Sequence, residues 1–290
     1  MQSPGAHPDR RRVVLYTADS GLRRPGAMVR EMFEDLASSR GLAWQLLIRD
    51  IRARYRQSFF GIAWAFLPAI LMAIGCTVAN RTRVVDFGET DIPYPAYVLI
   101  GMVFWQTFVD SVNGPITGAS GALKMLSRIK FPREAVILSK VGEALFDFLV
   151  KLIPVVLVMV WYGIAAPPTI LLVPASLLLL VAFGAAIGTL LAPIGLLYQD
   201  VSKGFGLITR AWLLLTPVIY AMPGPGTFGT IVRLNPVTPL LMTTRELLTT
   251  GSVSDPLAFA VVAGLTPAVL LGSWVAFRLA MPHAIERMTS

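Results

Sequence analysis

From Leu152 to Gln199 the chain carries no charged residue, a run of 48 positions. A bilayer core is crossed by about 20 apolar residues in a helix, so this run holds two spans rather than one buried core helix. Ala165-Ala166-Pro167-Pro168 supplies the turn between them. Lipid offers no hydrogen bonds to the backbone, so the spanning segments satisfy their own N–H and C=O groups as helices. Charge content agrees: 14% of the 290 residues are Asp, Glu, Lys or Arg, where a soluble domain has about 25%. The expected fold is an all-α integral membrane protein.

A second junction shows how the chain enters lipid. Arg49-Asp50-Ile51-Arg52-Ala53-Arg54-Tyr55-Arg56 is densely basic, and an uncharged run from Ser58 to Asn80 comes directly after it. Such a segment reads as an interfacial helix whose cations snorkel to headgroups before the next helix enters hydrocarbon. A buried helix with a solvated basic end is the plainer alternative. Residues 31–57 are expected to form this amphipathic interface helix, with Arg49, Asp50, Arg52, Arg54, Tyr55 and Arg56 at its C-terminal end. Ser38-Ser39-Arg40-Gly41 is a candidate break within it. Residues 1–30 hold Arg, Pro and Gly but no apolar core of a signal peptide, and read as a flexible cytoplasmic tail.

The apolar segments place six transmembrane helices within a domain over 58–280: 58–80, 92–112, 138–164, 170–198, 204–222 and 256–277. Residues 114–133 form a basic loop, Gln199 to Gly204 a tight polar turn, and 281–290 a short tail. Glu143, Asp147 and Lys151 fall at i, i+4 and i+8, so opposite charges share one helical face.

Between the fifth and sixth spans, residues 223–255 are too apolar for a solvated loop and too broken for another pair of spans. Pro223-Gly224-Pro225-Gly226 ends one helix, and Asn235-Pro236 divides the remainder of the segment into two helix-length pieces. An external re-entrant hairpin of two short helices fits best, with Arg233, Arg245 and Glu246 near the outer surface. A loosely packed cap is the alternative.

Six spans put both termini on one side. Of the 25 Lys and Arg residues, all but Arg81, Arg83, Arg233 and Arg245 then fall on that side, which the positive-inside rule makes cytoplasmic. The net charge of +8 thus reflects membrane topology and anionic lipids. No basic stripe interleaved with stacking aromatics points to nucleic acid. The lone Cys76 and the histidines His7 and His283 offer neither a disulfide nor a metal-ligand spacing.

Enzymatic signatures are missing too. The sequence holds no phosphate-loop motif, no nucleophile elbow and no HExxH, and apart from Glu143 and Asp147 at the start of 138–164, which lies in water, the only acid within the spans is Asp110, near a cytoplasmic end. An ion-driven carrier keeps ionisable groups at mid-membrane and is often built from repeats, which this chain lacks. The chain is therefore not read as an enzyme, and energy for uphill transport would arrive from another subunit.

Four separated motifs then fit together: Arg49-Asp50-Ile51-x-x-Arg54-Tyr55-Arg56-x-Ser58-x-x-Gly61-x-x-Trp64; Tyr94-Pro95-x-Tyr97-x-x-x-Gly101-x-x-x-Trp105; Ile129-Lys130-Phe131-Pro132-Arg133-Glu134; and Asn235-Pro236-x-Thr238-Pro239-x-x-x-x-x-Arg245-Glu246. In this order they resemble the transmembrane subunit of polysaccharide-export ABC transporters, the exporters of O-antigen, capsule and teichoic-acid chains, over about residues 40–280. The tail over 1–30 departs from that pattern. The resemblance implies a multi-pass protein of the bacterial inner membrane and a homodimer. It also implies two copies of an ABC ATPase subunit, which bind ATP and Mg while this chain holds no cofactor, and a lipid-linked polysaccharide as substrate. An ABC permease for a drug or small lipid, or a membrane scaffold that transports nothing, are the competing readings.

Residue roles come with it as expectations. Arg128, Lys130, Phe131, Pro132, Arg133 and Glu134 form the candidate coupling element toward the ATPase, because an exposed Phe in a basic loop is best buried by a partner. The bland reading is a solvated topology signal. Phe60, Trp64, Tyr97, Trp105, Phe108, Trp212, Thr216 and Tyr220 are candidate channel-lining residues, since pyranose C–H faces pack on aromatic rings. Helix packing and interfacial belts use the same residues. Pro223, Gly224, Pro225, Phe228, Asn235, Pro236, Arg245 and Glu246 are assigned to an external gate.

Overall fold

The computed structural model describes residues 25–56, 61–85, 87–122 and 133–289. Residues 1–24 of the tail expected over 1–30, Phe60, Asp86, and Arg128, Lys130, Phe131 and Pro132 of the coupling element lie outside them, and residues 25–30 of that tail are helical rather than flexible. Among the described residues there are nine α-helices. They are α1 (Pro25–Arg56), α2 (Leu67–Arg81), α3 (Tyr94–Gly121), α4 (Glu134–Trp161), α5 (Val173–Leu197), α6 (Gln199–Leu214), α7 (Thr227–Leu234), α8 (Val237–Thr249) and α9 (Pro256–Thr289).

Among the described residues four helical stretches are long and apolar enough to cross a membrane: Tyr94–Gly121, Glu134–Trp161, Pro168–Leu197 and Pro256–Met288. The chain is therefore a multi-pass, all-α membrane protein. Helix α2 has 15 residues and α6 has 16, about 22–24 Å each, short of the full hydrocarbon thickness.

Helix α3 is the axis of the bundle. Of its most apolar stretch 78% is buried inside the protein, against 11% for the last helix, which leaves Leu257, Val261 and Leu265 to lipid or to another chain. Without a hydrophobic drive between helices in lipid, close approach depends on small residues. Gly184, Gly188 and Gly195 of α5 supply it against Phe108, Val112 and Ile116 of α3; a Cβ on Gly184 would sit 2.9 Å from that of Ser111.

Several boundaries differ from the sequence reading, each for a physical reason. Helix α1 runs unbroken through Ser38–Gly41, because the Ser38 and Ser39 hydroxyls donate to the carbonyls of Asp35 and Leu36 (2.9 and 2.8 Å) and leave the helix intact. Helix α3 continues to Gly121 through Pro115. Gln199 begins α6 rather than a turn, since the only break after α5 is the extended Tyr198. Helix α6 stops at Leu214, not near Met222: Thr216 precedes Pro217, and a residue before proline disfavours helix. Two short helices, α7 and α8, stand on either side of Asn235-Pro236.

Candidate functional site

Two clusters of polar side chains are built at opposite ends of α3. One surrounds Gly114 and Gly118, whose added Cβ atoms would touch the Lys140 side chain. The other surrounds Tyr97, about 30 Å along the helix from Gly118.

At the first end α1 lies against the beginning of α4. Ala43 and Leu46 pack on Ala135 and Val136, and Leu47 fills the space beside Gly142. Arg54 donates to both Glu143 and Asp147. Lys140 Nζ reaches Asp50 at 2.9 Å and Glu143 at 2.7 Å, and Arg49 pairs with Asp50 at 2.8 Å. The charge stripe on α4 thus meets the basic end of α1. Its third member, Lys151, turns instead to Asp110 of α3 at 2.6 Å. Burial raises the Asp50 pKa, but the hydrogen bonds and charges of Lys140 and Arg49 more than offset this and hold it below the ordinary carboxylate value. Arg52 is exposed, and the Tyr55 and Arg56 side chains lie outside the described set. Of the coupling motif, Arg133 directly precedes α4, and Glu134 is its buried first residue. Arg278 of α9 lies 3.8 Å from Glu134 and 2.6 Å from Asp35 of α1, so three helices meet there.

At the other end the polypeptide after α6 forms a bed for α7 and α8. Asn235 satisfies its whole amide. Its Oδ1 accepts from Trp212 Nε1 (3.0 Å) and from the Val237 N–H at the start of α8 (3.1 Å). Its Nδ2 donates to the Leu215 carbonyl (3.1 Å) and Thr216 Oγ1 (2.8 Å). Arg245 and Glu246, expected near the outer surface, are enclosed by protein: they are 3% and 6% exposed. Arg245 donates to the Pro217 carbonyl (3.1 Å) and Tyr97 Oη (2.7 Å), and its guanidinium carbon lies 3.7 Å from the centre of the Tyr97 ring. Gly101, one turn along from Tyr97, makes room, since a Cβ there would lie 2.7 Å from the Val218 carbonyl and 3.3 Å from the guanidinium. Glu246 accepts from the N–H and hydroxyl of Ser254 at 2.9 and 2.6 Å, tying α8 to the segment before α9. The interrupted helix explains the burial: carbonyls freed at Leu215 and Pro217 find donors on the hairpin.

The candidate channel residues separate. Trp105, Phe108 and Trp212 pack on one another, with ring centres 5.4–6.4 Å apart. Trp105, Phe108, Tyr97 and Thr216 are buried, Trp212 and Tyr220 are half-buried, and Trp64 is exposed. Of the gate residues, Pro223, Gly224 and Pro225 lie in the non-helical link before α7 and Pro236 precedes α8; Arg233, expected near the outer surface, is exposed. Phe228 is exposed, and its ring packs tilted against Tyr220 with centres 5.8 Å apart. A cavity of about 350 Å³ opens beside the hairpin, bordered by residues 89–92, α8 and the start of α9. Sequence reasoning missed Asp35, Arg278 and the walls of this cavity, because their partners stand far away along the chain.

The profile of the ABC-2 type transporter family matches residues 42–248, from the second half of α1 to the end of α8. The chain belongs to the ABC-2 type transporter family. It is a membrane permease of that family, a non-catalytic subunit of the kind that pairs with ATPase subunits. It is 26% identical over 251 residues to an O-antigen export system permease protein, RfbA, of Myxococcus xanthus, covering 84% of this chain and 92% of the relative. Two RfbA permeases of Klebsiella pneumoniae are 25% and 23% identical, over 73% and 74% of this chain and 83% and 84% of theirs.

Proposed function

We propose that this permease is the channel-forming subunit of an exporter that moves a lipid-linked polysaccharide, O-antigen-like or a cell-wall glycan, across the cytoplasmic membrane of a bacterium. ATP hydrolysis in a separate subunit drives it. The observation that carries the reading is the likeness to an O-antigen export permease over 84% of this chain and 92% of the relative. Two copies of the chain, each joined to one ATPase subunit, would enclose the passage between them. Arg133 and Glu134 lie where α1, α4 and α9 meet, so a push on the basic loop before them would reach three helices at once. Both termini and that loop face the cytoplasm, and α7 and α8 close the outer end as a gate.

Reconstitution with the candidate ATPase tests this. The purified permease alone is expected to hydrolyse no ATP, and the complex to hydrolyse it faster when lipid-linked glycan is present. Cysteine cross-links between the two copies near Phe228 are expected to block export reversibly. Stimulation by drugs or short lipids but not by glycan would favour the small-substrate permease. Failure to bind any ATPase would favour the scaffold.

A further inference from the structure

A second groove, of about 310 Å³, runs between α2, α3 and α4. Ile70, Ile74 and Val78 of α2 line it with Leu99 of α3 and Val158 of α4. Ile74 and Val78 are exposed, and Leu99 is buried beneath them. Thr77 also borders the groove, but its hydroxyl donates to the Ala73 carbonyl at 2.6 Å and is already occupied. Along this length the walls offer apolar contact.

One end is different. Arg81, exposed in the last turn of α2, closes the groove together with Pro95 and the exposed Tyr162. Among the described residues no carboxylate pairs with Arg81. Trp161, 84% exposed, stands next to Tyr162 at the end of α4. Exposed Trp and Tyr at the end of a spanning helix mark the level of the lipid headgroups, so Arg81 lies at that depth. From Ile70 to Arg81 the helix rises about 16 Å, and one leaflet of the hydrocarbon core is about 15 Å thick. The groove therefore crosses one leaflet, from headgroups to midplane. It lies at the hairpin end of the molecule, since the Phe87 carbonyl accepts from the Ala221 N–H at 2.8 Å. A sugar would leave its hydroxyls unpaired on the apolar walls, and a free anion would meet one cation and little else. An amphiphile of leaflet length with an anionic head satisfies both parts.

We propose that this groove binds one anionic phospholipid, its acyl chain along α2 and its phosphate on Arg81, with the Tyr162 hydroxyl as a second donor. A zwitterionic lipid carries its own cation beside the phosphate and gains less from Arg81. One Lys or Arg at headgroup level favours an anionic lipid by about fivefold. That the leaflet is the outer one rests on the function proposed above; the lipid preference does not.

The test strips the detergent-purified permease–ATPase complex of lipid and adds phosphatidylglycerol and phosphatidylcholine of identical acyl chains in equal amounts. Native mass spectrometry then counts what each complex retains. One phosphatidylglycerol per permease chain is expected, favoured about fivefold over phosphatidylcholine. Arg81→Gln should bring the ratio close to one, and Arg81→Lys should restore it. Arg233→Gln removes an exposed cation outside the groove and should leave the ratio unchanged. Ile74→Trp fills the groove without touching its charge and should lower retention of both lipids, which keeps the test valid if the Arg81 variants assemble poorly. Equal retention of the two lipids by the parent complex, or a preference that Arg81→Gln leaves intact, overturns the proposal. So does an Ile74→Trp protein that keeps its lipid but no longer pairs with a second copy, because the groove then belongs to that copy. Glycan export by a complex without the lipid preference would sink the site and leave the export function standing; the preference without export would do the reverse.

Discussion

Both ends of α3 hold charge, but in opposite ways. At the hairpin end the charged residue Arg245 is almost wholly inside the protein. Its partners are a carbonyl, a phenol and a ring face, and among the described residues no carboxylate pairs with it. At the α1 end the carboxylates Glu143 and Asp147 are buried, and their cation Arg54 has a side chain 47% exposed. A buried charge whose hydrogen-bond partners are neutral cannot leave without stranding them. A cation on the rim of an interfacial helix can exchange its partners for water or headgroups at little cost. The first arrangement suits a fixed frame, and the second suits a latch that opens and closes.

The largest effect is expected from breaking the frame. Arg245→Met keeps the length of the side chain and removes every donor, leaving the Pro217 carbonyl with only the long contact from Tyr97 Oη (3.4 Å) and the Tyr97 hydroxyl without Arg245. We expect a loss of about 2–3 kcal/mol, seen as a fall of several degrees in the unfolding midpoint in detergent and a lower yield of assembled permease. Tyr97→Phe, which keeps the ring beneath the guanidinium, should cost about 1 kcal/mol. An Arg245→Met protein as stable as the parent would erase the contrast between the two ends.

The latch should respond asymmetrically. Arg54→Ala takes away the cation that bridges two buried carboxylates, whereas Glu143→Gln/Asp147→Asn leaves an arginine that water can solvate. Arg54→Ala is therefore expected to destabilise by about 1–2 kcal/mol, and the double amide variant by less than about 1 kcal/mol. The double variant should still assemble and bind ATPase, yet export several-fold more slowly because α1 no longer moves with α4. Equal destabilisation by the two variants would show the latch to be a second rigid frame.

How much of this was legible in the sequence depends on the distance between partners. The uncharged run of 152–199, the break at Asn235-Pro236 and the stripe Glu143, Asp147, Lys151 were local patterns, and each marks a real element. The stripe announced a face but not its occupants: Arg54 is 89 and 93 residues from its two partners. Arg245 misled for a related reason. Near a membrane surface charge is cheap, so an external arginine reads as solvated until the broken end of α6 offers it carbonyls. The aromatic residues of α3 share a face by periodicity, but periodicity cannot say whether that face meets a passage or Trp212 and Phe183. The cavity was invisible because residues 89–92, Thr238 and Asp255 come from three distant segments.

The smallest expected effect is a pH response confined to the latch. The Asp50 carboxyl is held below its ordinary value near ~3.9 because its bonds to Lys140 and Arg49 outweigh its burial. The docked helix then binds fewer protons at this position than the released one. Docking gains the full benefit above the ordinary value and loses it as pH falls through the lowered one. The groups facing Asp50 are Lys140, which also binds Glu143, and Arg49. Spin-label distances between α1 and α4 in nanodiscs should therefore stay flat from pH 8 to 5 and widen only below about 4. Asp50→Asn should remove its share of the acid step without shifting the distances at neutral pH by more than a small amount, because Arg54 still holds the helix. Widening that begins near pH 6 would assign the response to some other group, and the two ends of α3 would then differ in burial alone.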